Sequence, residues 1–166
     1  MKYPPLKNYI NGKPTAASSA KTLEVISPID GTLLSTVPMS TAKDLNDAVM
    51  VAQKAFVSWS RKPIKERVQV FFKFKTLLER DLNILAALVQ EENGKTLGEA
   101  VAEVEKCIEL TEFATSLPQL ISGEVLEVSK GVECRTEHVP LGIVASIVPF
   151  NFPAMVPNWT MPNAIA

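Results

Sequence analysis

Apolar and polar positions alternate in short runs over residues 8–38, which is the period of a β-strand. Asn11-Gly12 separates two of these runs, and both residue types tolerate the positive φ angles of a two-residue hairpin turn. Residues 22–26 and 33–37 form a second pair of runs around a Pro-Ile-Asp-Gly turn. The pattern therefore predicts two short antiparallel hairpins.

Residues 41–117 instead show the three- and four-residue spacing of amphipathic helices. Residues 41–44 have a capping-box pattern, which starts a first helix that should end near Arg61. Pro63 suits the first turn of a second helix, whose apolar stripe continues until Asn93-Gly94 offers a left-handed C-terminal cap. We interpret the apolar stripes of both helices as core positions.

A third helix follows and should end at Pro118, because proline cannot donate a backbone hydrogen bond. Its apolar and charged residues fall largely on two different sides. The apolar side comprises Leu97, Val101, Val104 and Ile108, and the charged side comprises Glu99, Glu103, Lys106 and Glu109. The pattern thus predicts a polar face that includes Glu103.

Residues 124–141 return to strand character, with Ser129-Lys130-Gly131 as the turn between two arms. Alternating charges imply that one face is open to water or to a partner, and the unpaired edges of a hairpin invite strand addition. Two interpretations stay open at this point. The segment is either an ordinary surface hairpin packed on its own domain or a hairpin that pairs with a partner.

Residues 143–148 form a continuous run of small and β-branched side chains, typical of a strand buried on both faces of a parallel sheet. Pro-Phe-Asn-Phe-Pro follows at residues 149–153. A turn after such a strand lies at the carboxyl edge of the sheet, where open α/β folds bind ligands. Pro153 suits the start of a helix and Asn151 its cap, so a capping role alone is one alternative for Asn151. The expected fold class is α/β.

Composition and charge exclude several classes of function. The chain has 17 Lys and Arg against 18 Asp and Glu, with no basic patch for a nucleic-acid backbone, so we expect no nucleic-acid partner. No apolar run reaches the roughly 18 residues of a membrane span. The two cysteines and the single histidine lack the spacing of a metal site or a disulfide framework. We therefore expect no metal and a cytoplasmic protein.

Two motifs in the last third of the chain resemble a segment of the aldehyde dehydrogenase superfamily. Pro-Leu-Gly-Ile-Val at residues 140–144 and Pro-Phe-Asn-Phe-Pro at 149–153 are similar to its P-L/V-G-V and P-W/F-N-F-P motifs. Further landmarks follow the family's order at residues 8–13, at residues 27–31 and at Glu-Glu-Asn-Gly-Lys-Thr, residues 91–96. Phe150 and the residues after it look most like the methylmalonate-semialdehyde dehydrogenase branch, whose members use NAD and coenzyme A.

The resemblance implies a division of the chain into three parts. Residues 1–123 would be the amino-terminal part of the cofactor-binding domain, with β-hairpins and three helices. Residues 124–141 look like the oligomerisation hairpin, which adds a strand to the sheet of a neighbouring subunit and so implies a homo-oligomer. Residues 142–166 would supply the first strand and helix of the Rossmann-like parallel sheet.

The resemblance also implies roles for individual residues. Asn151 matches the asparagine whose side-chain amide helps to form the oxyanion hole for an aldehyde substrate. Val148 and Phe150 match positions that line the NAD or NADP site, the first through its backbone and the second beside the nicotinamide. Lys106 stands where the branch has an arginine that binds the substrate carboxylate, but lysine lacks the planar two-donor fork. A solvated charge is the alternative for Lys106.

Family members are much longer, and their nucleophilic cysteine and general-base glutamate lie beyond the segment that Asn151 marks. Neither Cys107 nor Cys134 lies in the family's nucleophile motif, so neither is expected to be catalytic. The resemblance thus implies an amino-terminal fragment of an NAD(P)-dependent dehydrogenase, inactive alone, with coenzyme A as a further candidate cofactor. The alternative is a non-catalytic module that docks through its hairpin onto a full-length relative.

Overall fold

Six helices and three two-stranded antiparallel sheets make up the chain in a computed structural model that describes residues 1–166. The strands are β1 (Asn8–Ile10), β2 (Lys13–Thr15), β3 (Thr22–Ile26), β4 (Leu33–Pro38), β5 (Glu124–Ser129) and β6 (Val132–Thr136). The helices are α1 (Ala42–Trp59), α2 (Ile64–Arg67), α3 (Gln69–Arg80), α4 (Leu82–Asn93), α5 (Leu97–Leu120) and α6 (Met155–Ile165). No helix has both the length and the apolar composition needed to cross a membrane.

The two hairpins predicted near the start of the chain are confirmed. Strands β1 and β2 pair around a turn in which Asn11 has φ 55° and Gly12 has φ 73°, so both turn residues are left-handed. Strands β3 and β4 pair over the two runs predicted to form the second hairpin. Leu34 and Ser35 of β4 are buried. The predicted third hairpin is also present, because β5 pairs with β6.

Helix α1 begins at its predicted capping box but does not form core. The Asp44 carboxylate accepts the backbone N–H groups of Thr41 at 2.7 Å and of Ser18 at 2.8 Å, which ties the helix to the loop before β3. Asp44 is nevertheless the only buried residue of α1, and Leu45 is 64% exposed. The core interpretation is wrong for this stripe because no other element packs broadly against α1.

The single helix predicted from Pro63 to Asn93 is instead three helices. The chain is interrupted at Val68 and again at Asp81, which has φ −100° and ψ 12°. Helices α3 and α4 then pack separately against α5. Val68 and Phe71 cluster with Ala114 and Leu117 of α5, and Ala86 and Val89 cluster with Ala100 and Val104.

Helix α5 buries a different stripe from the one predicted. Its buried residues are spaced by three or four positions and are Ala100, Glu103, Val104, Cys107, Thr111, Ala114 and Leu117. Leu97 is half exposed, and Glu103 is inside rather than on the polar face. Pro118 lies within the last turn, and the helix continues to Leu120 instead of ending at the proline. Packing of α3, α4 and α6 on this one side selects the buried face.

The strand predicted at residues 143–148 is absent, and Ile147 is fully exposed. A buried parallel strand needs neighbours on both sides for its N–H and C=O groups, and all three sheets of this chain are separate hairpins. Helix α6 does follow the turn at residues 149–153, but it begins at Met155 rather than at Pro153. It packs against α5.

Replacing Gly94 tests the connection between α4 and α5. Gly94 is the predicted left-handed cap, with φ 82°, and an added Cβ would meet Pro28 Cγ at 3.0 Å. Gly94→Ala should therefore lower the free energy of unfolding by about 1–2 kcal/mol, measured by urea denaturation. Gly98→Ala is the matched control, because Gly98 lies in α5 with open space around it.

The control should leave stability unchanged or raise it by up to about 1 kcal/mol, since alanine favours helix. Equal effects of the two substitutions would contradict this account of the α4–α5 connection.

Candidate functional site at the turn of residues 149–153

The turn at residues 149–153 presents two side chains that the sequence singles out. Asn151 is exposed, and the N-cap residue of α6 is Ala154 rather than Asn151. Phe150, the residue before it, is 56% exposed, and Val148 is more than a third exposed. The capping alternative for Asn151 is thus not realised here, and the amide of Asn151 is available to a ligand.

The helix start is capped from a distance by Glu103. This carboxylate accepts the backbone N–H groups of Ala154 at 2.8 Å and of Met155 at 3.1 Å through Oε1. A negative charge at a helix N-terminus is favourable because unpaired N–H groups and the helix dipole both point to it. Glu103 therefore satisfies the first donors of α6, although 51 residues separate it from Ala154.

Lys95 pairs with the same buried carboxylate. Its Nζ lies 2.5 Å from Glu103 Oε2, and the Glu103 side chain is wholly buried while that of Lys95 is 15% exposed. The same Nζ lies 3.9 Å from the centre of the Phe152 ring, which places a cation over an aromatic face. The charge of Glu103 is thus paired, and the pair contacts the residue next to Asn151.

A third contact reaches the other side of Asn151. Asn93 Nδ2 donates a hydrogen bond to the carbonyl oxygen of Phe150 at 2.8 Å. Asn93 is the last residue of α4, and Lys95 lies between α4 and α5. We call residues 93–96 the α4–α5 junction. The junction and Glu103 together contact residues 150, 152, 154 and 155, on both sides of Asn151.

The amphipathic pattern of α5 does not reveal this role of Glu103, because it places the residue on the polar face. The spacing along α5 could have indicated this role. Glu103 is three residues after Ala100 and four before Cys107, so the three side chains share one face of the helix, and all three are buried. An acidic residue within a stripe of small side chains indicates a buried charge that needs a partner.

Lys106, the candidate for the substrate carboxylate, lies on α5 with its side chain about half exposed. Its Nζ pairs with Glu109 of the same helix. This arrangement also fits the alternative of a solvated charge. A substrate role for Lys106 stays a prediction.

The two cysteines differ in environment. Cys107 is buried and its thiol donates to the Glu103 carbonyl oxygen at 3.3 Å, whereas Cys134 is exposed on β6. Burial, together with the nearby charge of Glu103, raises the pKa of the Cys107 thiol to about 11. The thiolate is the nucleophilic form, so Cys107 is unreactive at neutral pH. No group of three or more His, Cys, Asp and Glu residues is placed to hold a metal ion.

Residues 15–166 match the aldehyde dehydrogenase family, and the chain belongs to that family. Malonate-semialdehyde dehydrogenase 1 of Geobacillus kaustophilus is 45% identical over 161 residues, which are 96% of this chain and 33% of the relative. The chain thus spans about a third of the length of the curated relatives it matches. The family resemblance stated from the sequence is confirmed.

Solved protein structures share this fold. Methylmalonate-semialdehyde dehydrogenase (DddC) from Oceanimonas doudoroffii superposes with a TM-score of 0.93 at 35% identity, over 98% of this chain and 33% of that one. PnpE in complex with nicotinamide adenine dinucleotide gives a TM-score of 0.91 at 30% identity, over 99% and 34%. The α/β fold class, as an amino-terminal part of the aldehyde dehydrogenase fold, is therefore confirmed.

The environments of the two cysteines predict opposite reactivity. With the folded chain at neutral pH, a thiol-reactive disulfide reagent should modify Cys134 rapidly and leave Cys107 unmodified, because Cys107 is buried and protonated. Each modified cysteine releases one coloured thiol from the reagent, and its absorbance is measured before and after denaturation of the chain. Cys134→Ser should abolish the native reaction, and Cys107→Ser should leave it unchanged.

Rapid native modification of Cys107 in the Cys134→Ser variant would show that the packing around α5 described above is wrong.

Proposed function

We propose that this chain is the amino-terminal third of an NAD(P)-dependent aldehyde dehydrogenase that oxidises a small semialdehyde. The observation that carries the proposal is the exposed amide of Asn151, which the capping of α6 by Glu103 leaves free. The similarity to malonate- and methylmalonate-semialdehyde dehydrogenases supports the substrate class.

The proposed task of Asn151 is to donate a hydrogen bond from its side-chain amide to the aldehyde oxygen. That oxygen gains negative charge as a cysteine thiolate adds to the carbonyl carbon and forms a thiohemiacetal. A donor that is already oriented stabilises this charge with little reorganisation. The nucleophile is expected from a part of the protein outside this chain, because Cys107 is buried and protonated and Cys134 lies on the β5–β6 hairpin rather than at the turn of residues 149–153.

Val148 and Phe150 are the proposed cofactor contacts. Both are partly exposed apolar residues beside Asn151, and the Phe150 ring offers the flat apolar surface on which a nicotinamide ring could lie. The nicotinamide, when bound, would accept the hydride from the thiohemiacetal carbon. Phe150 would orient the ring, and its neighbour Asn151 would hold the substrate oxygen.

The β5–β6 hairpin is the proposed contact between subunits. Every residue of both strands is exposed, including Val125 and Leu126 at 64% each. An isolated two-stranded hairpin is marginal in water, and its free edges can accept a strand from a second copy. The same exposure also favours a second candidate function, a non-catalytic module that docks through this hairpin onto a full-length relative.

Asn151 provides the test of the catalytic proposal in the full-length dehydrogenase that carries this segment. Asn151→Asp should lower kcat by roughly 10²–10³-fold, because the donor is replaced by a charge that repels the oxyanion. Cofactor binding and the free energy of unfolding should stay near those of the wild-type enzyme. Steady-state nicotinamide reduction, cofactor titration and urea denaturation measure the three quantities.

Asn46→Asp is the matched control, because Asn46 is exposed on α1 and away from the turn. It should leave kcat unchanged.

The 166-residue chain by itself should show no turnover. Wild-type kcat in Asn151→Asp, or a loss that only follows lost fold, would refute the role of Asn151, and turnover by the short chain would refute the fragment proposal.

A further inference from the structure

We propose that the α4–α5 junction, with Glu103, is a positioning device for Asn151. Asn93 and Lys95 contact residues on either side of the asparagine, and Glu103 holds the start of the following helix. None of the three would touch the substrate, so they are positioning residues. The inference rests on the proposed function of Asn151.

The charge arrangement explains why this contact is stable. The Glu103 side chain is completely buried, and an unpaired buried carboxylate would be costly. Three donors compensate that cost, namely Lys95 Nζ on one oxygen and the N–H groups of Ala154 and Met155 on the other. Loss of one donor would leave the carboxylate partly unpaired, so the ion pair and the helix start depend on each other.

Within this chain, few other contacts hold the turn that carries Asn151. Residues 143–150 lie in no strand and are all exposed, and the segment reaches α6 through a hydrogen bond between Thr160 Oγ1 and Ser146 Oγ at 2.9 Å. The α4–α5 junction is held in position on its other side, because Gly94 lies against Pro28 of the β3–β4 loop. Within this chain, the contacts to the Phe150 carbonyl and the Phe152 ring hold the backbone on both sides of Asn151.

A loosened turn should affect catalysis in a recognisable way. The amide of Asn151 acts only when the aldehyde oxygen carries charge, so misplacing it should lower kcat while KM and cofactor binding change little. Small displacements of a catalytic group can cost up to about 10²-fold in rate. A positioning role also predicts that the loss disappears once Asn151 itself has been removed.

The test is a double-mutant cycle in the full-length dehydrogenase. Lys95→Met, which removes the cation and keeps an unbranched side chain, should lower kcat by about 10- to 100-fold in the wild-type background. In the Asn151→Ala background the same substitution should lower kcat by no more than about 2-fold. Lys95→Arg should retain most of the activity, because it keeps the charge. Lys43→Met is the control: it breaks an exposed ion pair with Asp47 on α1 and should leave kcat unchanged.

Two further measurements test the positioning role even if Lys95→Met folds poorly. Asn93→Ala removes only the exposed hydrogen bond to the Phe150 carbonyl and should show the same non-additivity with Asn151→Ala. In the 166-residue chain, hydrogen exchange at the amides of Ala154 and Met155 should be at least about 10-fold faster in Glu103→Leu, because both donors lose their acceptor.

The outcomes separate the two proposals. Wild-type kcat in Asn151→Ala would overturn the proposed function and, with it, the positioning role. A large loss in Asn151→Ala combined with additive effects of Lys95→Met and Asn93→Ala would overturn the positioning role alone. Unchanged amide exchange in Glu103→Leu would likewise overturn the positioning role.

Discussion

The carboxylate of Glu103 is buried, and a charge inside a protein has to be neutralised by partners that the fold brings to it. Those partners come from two other parts of the chain, namely the α4–α5 junction through Lys95 and the start of α6. This requirement ties the start of α6 to α5. It also leaves Asn151 free of the capping role that its position would otherwise favour.

Around this centre, packing is uneven. Helices α3 and α4 cover one side of α5 with two apolar clusters. The apolar stripe of α1 is only partly covered within the chain, and the run at residues 143–148 and the β5–β6 hairpin are exposed. Relatives that match the chain are about three times as long. Exposed apolar surface on this scale is typical of interfaces, which agrees with the proposal that the chain is part of a larger dehydrogenase.

Short-range signals predicted much of the fold correctly. The turn at Asn11-Gly12, the capping box at Thr41 and the left-handed Gly94 all depend on the conformational preferences of a few adjacent residues. Predictions that required a partner elsewhere in the chain were wrong. Examples are the core stripe of α1, the single helix from Pro63 and the strand at residues 143–148, each of which depends on what packs beside it.

The site divides in the same way. By itself, the sequence determined the family, the asparagine-containing turn at residues 149–153 and the hairpins, because these depend on residues adjacent in the chain. Only the tertiary structure decided that Glu103 lies inside, that it caps α6 across 51 residues, and that Lys95 bridges it to Phe152. A helical pattern shows which residues share a face, but whether a charge on that face is buried depends on long-range contacts that bring its partners to it.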